Sequence, residues 1–186
     1  MIKFKFIYLS LIFFAAVLSC NDEDTIPINE EELITTVNVT LTPQGGGTDI
    51  TLQSRDLDGD GPNAPIVIIS ADLVANTVYN GTVQVLNELE NPAEDITEEV
   101  ETEGTEHQFF YTFSNNIAST MYTDMDANGD PIGITFTLTT GTTGNGNLIV
   151  TLRHALAKEI SGVSDGNLAS AGGSTDAEAT FAITVQ

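Results

Sequence analysis

The residues best able to do chemistry in this chain bracket one stretch, Thr105–His154. His107 opens it and His154 closes it, and the sequence has no other histidine. A neutral imidazole is a ligand for zinc, copper or haem iron, and its charge changes near neutral pH. Two turns add a second kind of candidate. Asp56-Leu57-Asp58-Gly59-Asp60-Gly61 and Asp124-Met125-Asp126-Ala127-Asn128-Gly129 both read D-x-D-x-[DN]-G. That spacing aims alternate side-chain oxygens at one hard cation, and the glycine permits the bend. Asp56, Asp58, Asp60, Asp124, Asp126 and Asn128 are therefore candidate calcium ligands. The match to an EF-hand loop ends at its twelfth position, where Val67 and Thr135 replace the bidentate glutamate. Tight turns use the same residues with no ion, so both readings stay open.

The elements that must position these residues are strands. Thr36–Thr42 alternates Val37, Val39 and Leu41 with polar residues, and Thr48–Ser54 returns after the turn Pro43–Gly47. Ile66–Ala71 is a solid apolar run, which suits a sheet centre. Further strands are expected at 78–86, 108–114, 119–123, 132–140, 148–154 and 177–185. Between Glu88 and Glu106 lie nine acidic residues and no basic one. Asp95-Ile96-Thr97-Glu98 there has capping-box spacing, and Gly104 would end a short helix. Residues 155–175 read as a small-residue loop. About nine short strands with almost no helix predict an all-β fold, a single antiparallel β-sandwich in Ig-like or Greek-key style.

Strand parity then assigns the candidate residues to one end. If four strands run from Gln108 to His154 through three tight reversals, the last ends where the first began. His107 and His154 should therefore share an end with the Asp124–Gly129 turn and the 88–106 segment. His107 has the parity of Phe109, Tyr111 and Phe113, and His154 that of Leu148, Val150 and Leu152, so both point toward the apolar side. A pair of hydrogen-bonded histidines capping the core fits that placement as well as a zinc, copper or haem site does, and no third ligand is identifiable.

Composition narrows the partners. The 186 residues carry 27 acidic and five basic side chains, a formal net charge of -22. So negative a field argues against nucleic acid and against anionic lipid. Gly162-Val163-Ser164-Asp165-Gly166 matches G-x-S-x-G, but it lies in a loop with both histidines upstream, and no enzyme is expected. At the N-terminus, Met1-Ile2-Lys3-Phe4-Lys5 precedes an apolar run from Phe6 to Leu18, too short to span a bilayer. Val17-Leu18-Ser19-Cys20 resembles the bacterial lipoprotein signal, with Cys20, the only cysteine, as the lipidated residue. The expected organisation is a signal peptide over 1–19, a flexible acidic tether over 20–33, and the β-sandwich over 34–186. Acyl chains on Cys20 would hold the protein to the lipid bilayer of the outer membrane, facing the periplasm or the cell surface.

Five segments carry a wider resemblance: Glu32-Leu33-Ile34-Thr35-Thr36, Leu41–Gly47, Asp56–Gly61, Glu106-His107-Gln108-Phe109-Phe110 and Leu152-Arg153-His154. Along nearly the whole mature chain they resemble small lipoproteins of Gram-negative bacteria often labelled type 1 periplasmic binding fold superfamily proteins. Similar sequences continue Arg-His with Glu-Pro, where this chain has Ala155-Leu156. The label denotes a long two-lobed α/β fold, so the strand alternation sets the expectation for the fold. Two functional expectations follow. One is a lipid-anchored, non-enzymatic binding protein that captures a metal or metal complex for an outer-membrane transporter. The other is a structural or adhesive surface module stabilised by calcium.

Overall fold

A computed structural model describes residues 32–59 and 61–186; the expected signal peptide over 1–19, Cys20, most of the expected tether and Asp60 lie outside the described residues. The fold is nearly all-β. In chain order the strands are β1 (Thr36–Pro43), β2 (Ile50–Arg55), β3 (Ile66–Ile69), β4 (Val78–Asn87), β5 (Glu94–Asp95), β6 (His107–Phe113), β7 (Ala118–Tyr122), β8 (Thr135–Thr140), β9 (Gly144–His154) and β10 (Ser174–Val185). The tenth strand, against about nine expected, is the two-residue β5, too short to leave an alternation in the sequence. One six-residue helix, α1 (Thr97–Thr102), follows it. Asp95 accepts a hydrogen bond from the Thr97 amide, but Ile96, not Asp95, is the N-cap, so the capping box does not form.

The strands make two antiparallel sheets. The larger has seven strands in the order β3-β2-β1-β4-β8-β7, with β5 paired to β4; the smaller runs β10-β9-β6. One apolar core takes Val39, Leu41, Leu52, Val85 and Leu138 from the larger sheet and Phe109, Leu148, Leu152 and Phe181 from the smaller. Each such side chain, once buried, contributes about 1.5–3 kcal/mol.

Two expectations need correction and a third needs completing. The reversals expected at Asn115-Asn116 and Gly141–Gly146, short enough to be hairpins, are not hairpins, because β6 and β9 lie in the smaller sheet and β7 and β8 in the larger. The chain reverses at each, as parity requires, but crosses between sheets. Ile66–Ala71 is not a sheet centre. As β3 it forms the edge of the larger sheet, with Ile66 60% and Ile68 55% exposed. An uninterrupted apolar run specifies a strand without specifying its neighbours. Finally, residues 155–173 form the expected loop, with one 3-10 turn, but the loop is packed rather than a bare connection. Leu156, Val163 and Ala171 bury Phe110 in a second small cluster, which explains why β6 is apolar on both faces.

Candidate functional site

The two imidazoles meet because β6 and β9 pair with His107 directly opposite His154. Their ring centroids are 4.3 Å apart at an interplanar angle of 29°. Each is the terminal residue of its strand, on the face that carries Phe109 and Leu152 into the core.

Two carboxylates that the sequence does not single out complete the group. β10 pairs with the other side of β9, and its register slips between Thr175 and Ala177, leaving Asp176 as the extra residue of a β-bulge. A bulge bends its strand and re-aims a side chain. Here it sends Asp176 Oδ2 to 3.6 Å from His107 Nε2 and 3.8 Å from His154 Nδ1. Glu32, placed by the sequence in the tether, reaches in from the chain ahead of β1. Its Oε1 lies 2.9 Å from His107 Nε2 and its Oε2 lies 3.8 Å from His154 Nδ1. The side chains of His107, Asp176, His154 and Glu32 are 0%, 0%, 2% and 5% exposed.

The loop that feeds β10 sets the bulge. Gly172 and Gly173 have φ of +66° and +68°. Arg153 faces away from the histidines and donates to the carbonyls of Gly172 and Gly173 and to the Thr175 hydroxyl. A Cβ on Gly173 would stand 2.1 Å from the His154 carbonyl oxygen, whereas one on Gly172 meets nothing within 4 Å. Gly172→Ala should therefore cost only the strain of its backbone, about 1–3 kcal/mol. Gly173→Ala should cost more and move Asp176; urea denaturation of the pair measures the difference. Equal stability of the two variants would mean the loop relaxes freely around the added methyl group.

The hydrogen bonds of the site orient the rings. His107 Nδ1 lies 3.3 Å from the Glu103 carbonyl, which can only accept; a neutral ring protonated at Nδ1 would turn its Nε2 lone pair toward the carboxylates, and a ring protonated at both nitrogens pairs with Glu32 instead. On the far side of His154, Nε2 lies 3.6 Å from a Glu106 carboxylate oxygen. A carbonyl behind one imidazole and a carboxylate near the other are the outer partners that metal-binding histidines use. Glu32 Oε2, His107 Nε2 and both oxygens of Asp176 are buried, and among the described residues their contacts are the ion-pair distances above, none of hydrogen-bond geometry.

Charge shows what this group lacks. With neutral rings, Glu32 and Asp176 bury two negative charges, a cost of several kcal/mol per ion unless compensated. A divalent cation neutralises them, and so does a proton on each imidazole. Burial opposes protonation of His107, but the Asp176 and Glu32 carboxylates and the Glu103 carbonyl outweigh it and raise its pKa. Metal binding displaces such protons. One ligand atom from each of the four residues fits within a span of 4.8 Å. Tetrahedral zinc with bonds of about 2.0–2.2 Å sets its ligands roughly 3.3–3.6 Å apart. The four nitrogen–oxygen separations here run from 2.9 to 3.8 Å. Two imidazole nitrogens suit zinc, copper, nickel or iron; calcium prefers oxygen throughout.

The calcium candidates are placed differently. Asp124 accepts from the amides of Gly133 and Thr135 at 2.8 and 2.9 Å. Asp126 Oδ1 accepts from the amides of Asn128 and Asp130, and its Oδ2 receives the Lys158 ammonium at 2.9 Å. Lys158, which the sequence leaves in a loop, also donates to the Gly104 and Pro131 carbonyls. A lysine thus stands where the turn would hold a cation, and it ties that turn to the segment preceding His107. In the first turn Asp56 Oδ1 accepts from the Asp58 and Gly59 amides, and Asp58 Oδ2 accepts from the Asn63 side chain. Both are Asx arrangements, and among the described residues neither turn contributes to the histidine site. Arg55 pairs with Glu88 at 2.7 Å, and Glu88 also bonds Thr36. Ser164 donates to Asp130.

No family model, no curated protein and no solved structure matches this chain.

Proposed function

We propose that this protein is a non-enzymatic, lipid-anchored metal-binding protein of the cell envelope, holding one divalent first-row ion, zinc foremost, between Glu32, His107, His154 and Asp176. The observation that carries the reading is a closed cluster of two imidazoles and two carboxylates whose buried charge calls for a divalent cation. Four protein ligands and almost no exposure favour retention of a bare ion over hydrolytic chemistry, which needs an open coordination position. They also leave no room for a bulky complex such as haem. We further propose that the two sheets face one another as a sandwich, since both supply one core.

The envelope placement rests on the N-terminal sequence, and delivery of the ion to an outer-membrane transporter is the role that would use such an anchor. The calcium-stabilised module has less support, because Lys158 already engages Asp126.

Elemental analysis of the purified mature protein tests the metal. We expect one zinc or related ion per chain in the wild type and loss of that stoichiometry in His107→Ala. A folded wild type that takes up calcium alone, or nothing after incubation with zinc, would overturn the reading. Fractionation tests the anchor: Cys20→Ser should leave the membrane fraction or remain unprocessed. Persistence of that variant, processed, in the outer membrane would remove lipidation from the account.

A further inference from the structure

The four ligands are not held alike. His107, Asp176 and His154 belong to three adjacent strands of one sheet, fixed by the β6–β9 and β9–β10 registers and by buried neighbours such as Phe109 and Leu152. Glu32 is in no strand or helix. Leu33 beside it is exposed, and the first backbone hydrogen bond among the described residues runs from the Thr35 amide to the Leu86 carbonyl, on the larger sheet. Among the described residues Glu32 thus precedes that bond by three positions, with only Ile34 between them packed against the core, and its carboxylate is buried by the site it closes.

We propose that Glu32 is an exchangeable closing ligand. Without it, two histidines and one carboxylate remain on a rigid sheet, a set that binds a first-row ion and leaves coordination positions open. With it, the site is closed. Withdrawal of the Glu32 side chain gives the ion its path in and out and lets a small anionic donor take the carboxylate's place, without disturbing either sheet. An acceptor with such a donor can then draw the ion away by ligand substitution, one anion replacing another. The charge at the metal stays constant through that exchange, and no oxidant or reductant is required.

The inference rests on the metal reading, and cobalt(II) separates the failure of one from the failure of the other. The probes are cobalt(II) itself, followed by its visible absorption, and azide as the small anion. Wild type should bind one cobalt(II) per chain, with a spectrum that azide leaves unchanged. Glu32→Ala should still bind one cobalt(II) per chain, its spectrum should shift on adding azide, and it should yield the ion to a chelator faster than wild type does. His107→Ala should bind no stoichiometric cobalt(II). Glu32→Gln, which keeps the size of the side chain, should behave as Glu32→Ala and guards against an effect of lost packing; circular dichroism verifies that each variant is folded.

Loss of cobalt(II) from both Glu32 variants as complete as in His107→Ala would make Glu32 an integral ligand and overturn the proposal. An equal azide response in the wild type would show that Glu32 does not close the site, and the proposal would fall on that result too. A wild type that takes up no cobalt(II) or zinc would overturn the metal reading and this inference together.

Discussion

Chelation of the bound metal is expected to lower the melting temperature of the mature protein by about 10 °C. The ligands of the site come together only in the native state, so an ion held there stabilises that state by mass action. At a free concentration near a thousand times its dissociation constant, an ion contributes about 4 kcal/mol. In a domain of this length each kcal/mol moves the melting temperature by about 2–4 °C. Metal-free protein retains two buried carboxylates whose compensation then depends on protonated imidazoles. His107→Ala should melt at one temperature with and without metal. Thermal scans of both proteins with zinc and with excess chelator measure the effect. Coincident wild-type curves would show that no ion contributes to native stability.

The second large effect is expected far from the histidines. Lys158→Met should destabilise the protein by about 3–5 kcal/mol, because it strands the buried Asp126 carboxylate while preserving most of the apolar stem. Two carbonyl acceptors, Gly104 and Pro131, lose their donor in the same substitution. The dependence on pH has a definite sign. Burial alone would raise the Asp126 pKa, but the Lys158 ammonium and the Asp130 and Asn128 amides lower it below the usual carboxylate value. The stability from this pair is therefore complete above the ordinary carboxylate pKa and is lost as pH falls through the depressed one. Urea midpoints of wild type and variant should converge as acid protonates Asp126. A constant gap between them down to strongly acidic pH would mean that Lys158 contributes through packing and not through its charge.

How far the fold and the site are legible in the sequence is clearest at single residues. That His107 and His154 share an end and face the core is within reach, because alternation sets the face of each residue and counting reversals sets the end; that their strands pair is not. Neither step needs to know which strands are neighbours, so the two crossings between sheets leave the result unchanged. Asp176 is out of reach. Its role depends on a bulge, an extra residue that breaks the alternation by which strands are recognised. Glu32 is hidden differently. It ends the run Glu30-Glu31-Glu32, and nothing local separates a buried carboxylate from the acidic residues before it. Lys158 has no recognisable partner, since Asp126 lies far away in sequence and the turn's spacing already suggests calcium. Ile66–Ile69 is recognisable as a strand, but sheet position is a property of neighbours that no local pattern records.

The ligands of the site nearly span the described chain, from Glu32 at its start to Asp176 in its last strand. Contacts so distant in sequence close late, because chain entropy must be lost before they return anything. A chain still being synthesised presents its histidines one after the other and lacks Asp176 until β10 is made. A folding transition state reached before the four residues converge would gain nothing from an ion held between them. An ion bound as proposed is therefore expected to leave the rate of folding unchanged and to slow the escape from the finished fold. On that reading the ion would set the lifetime of the loaded protein, though not its formation.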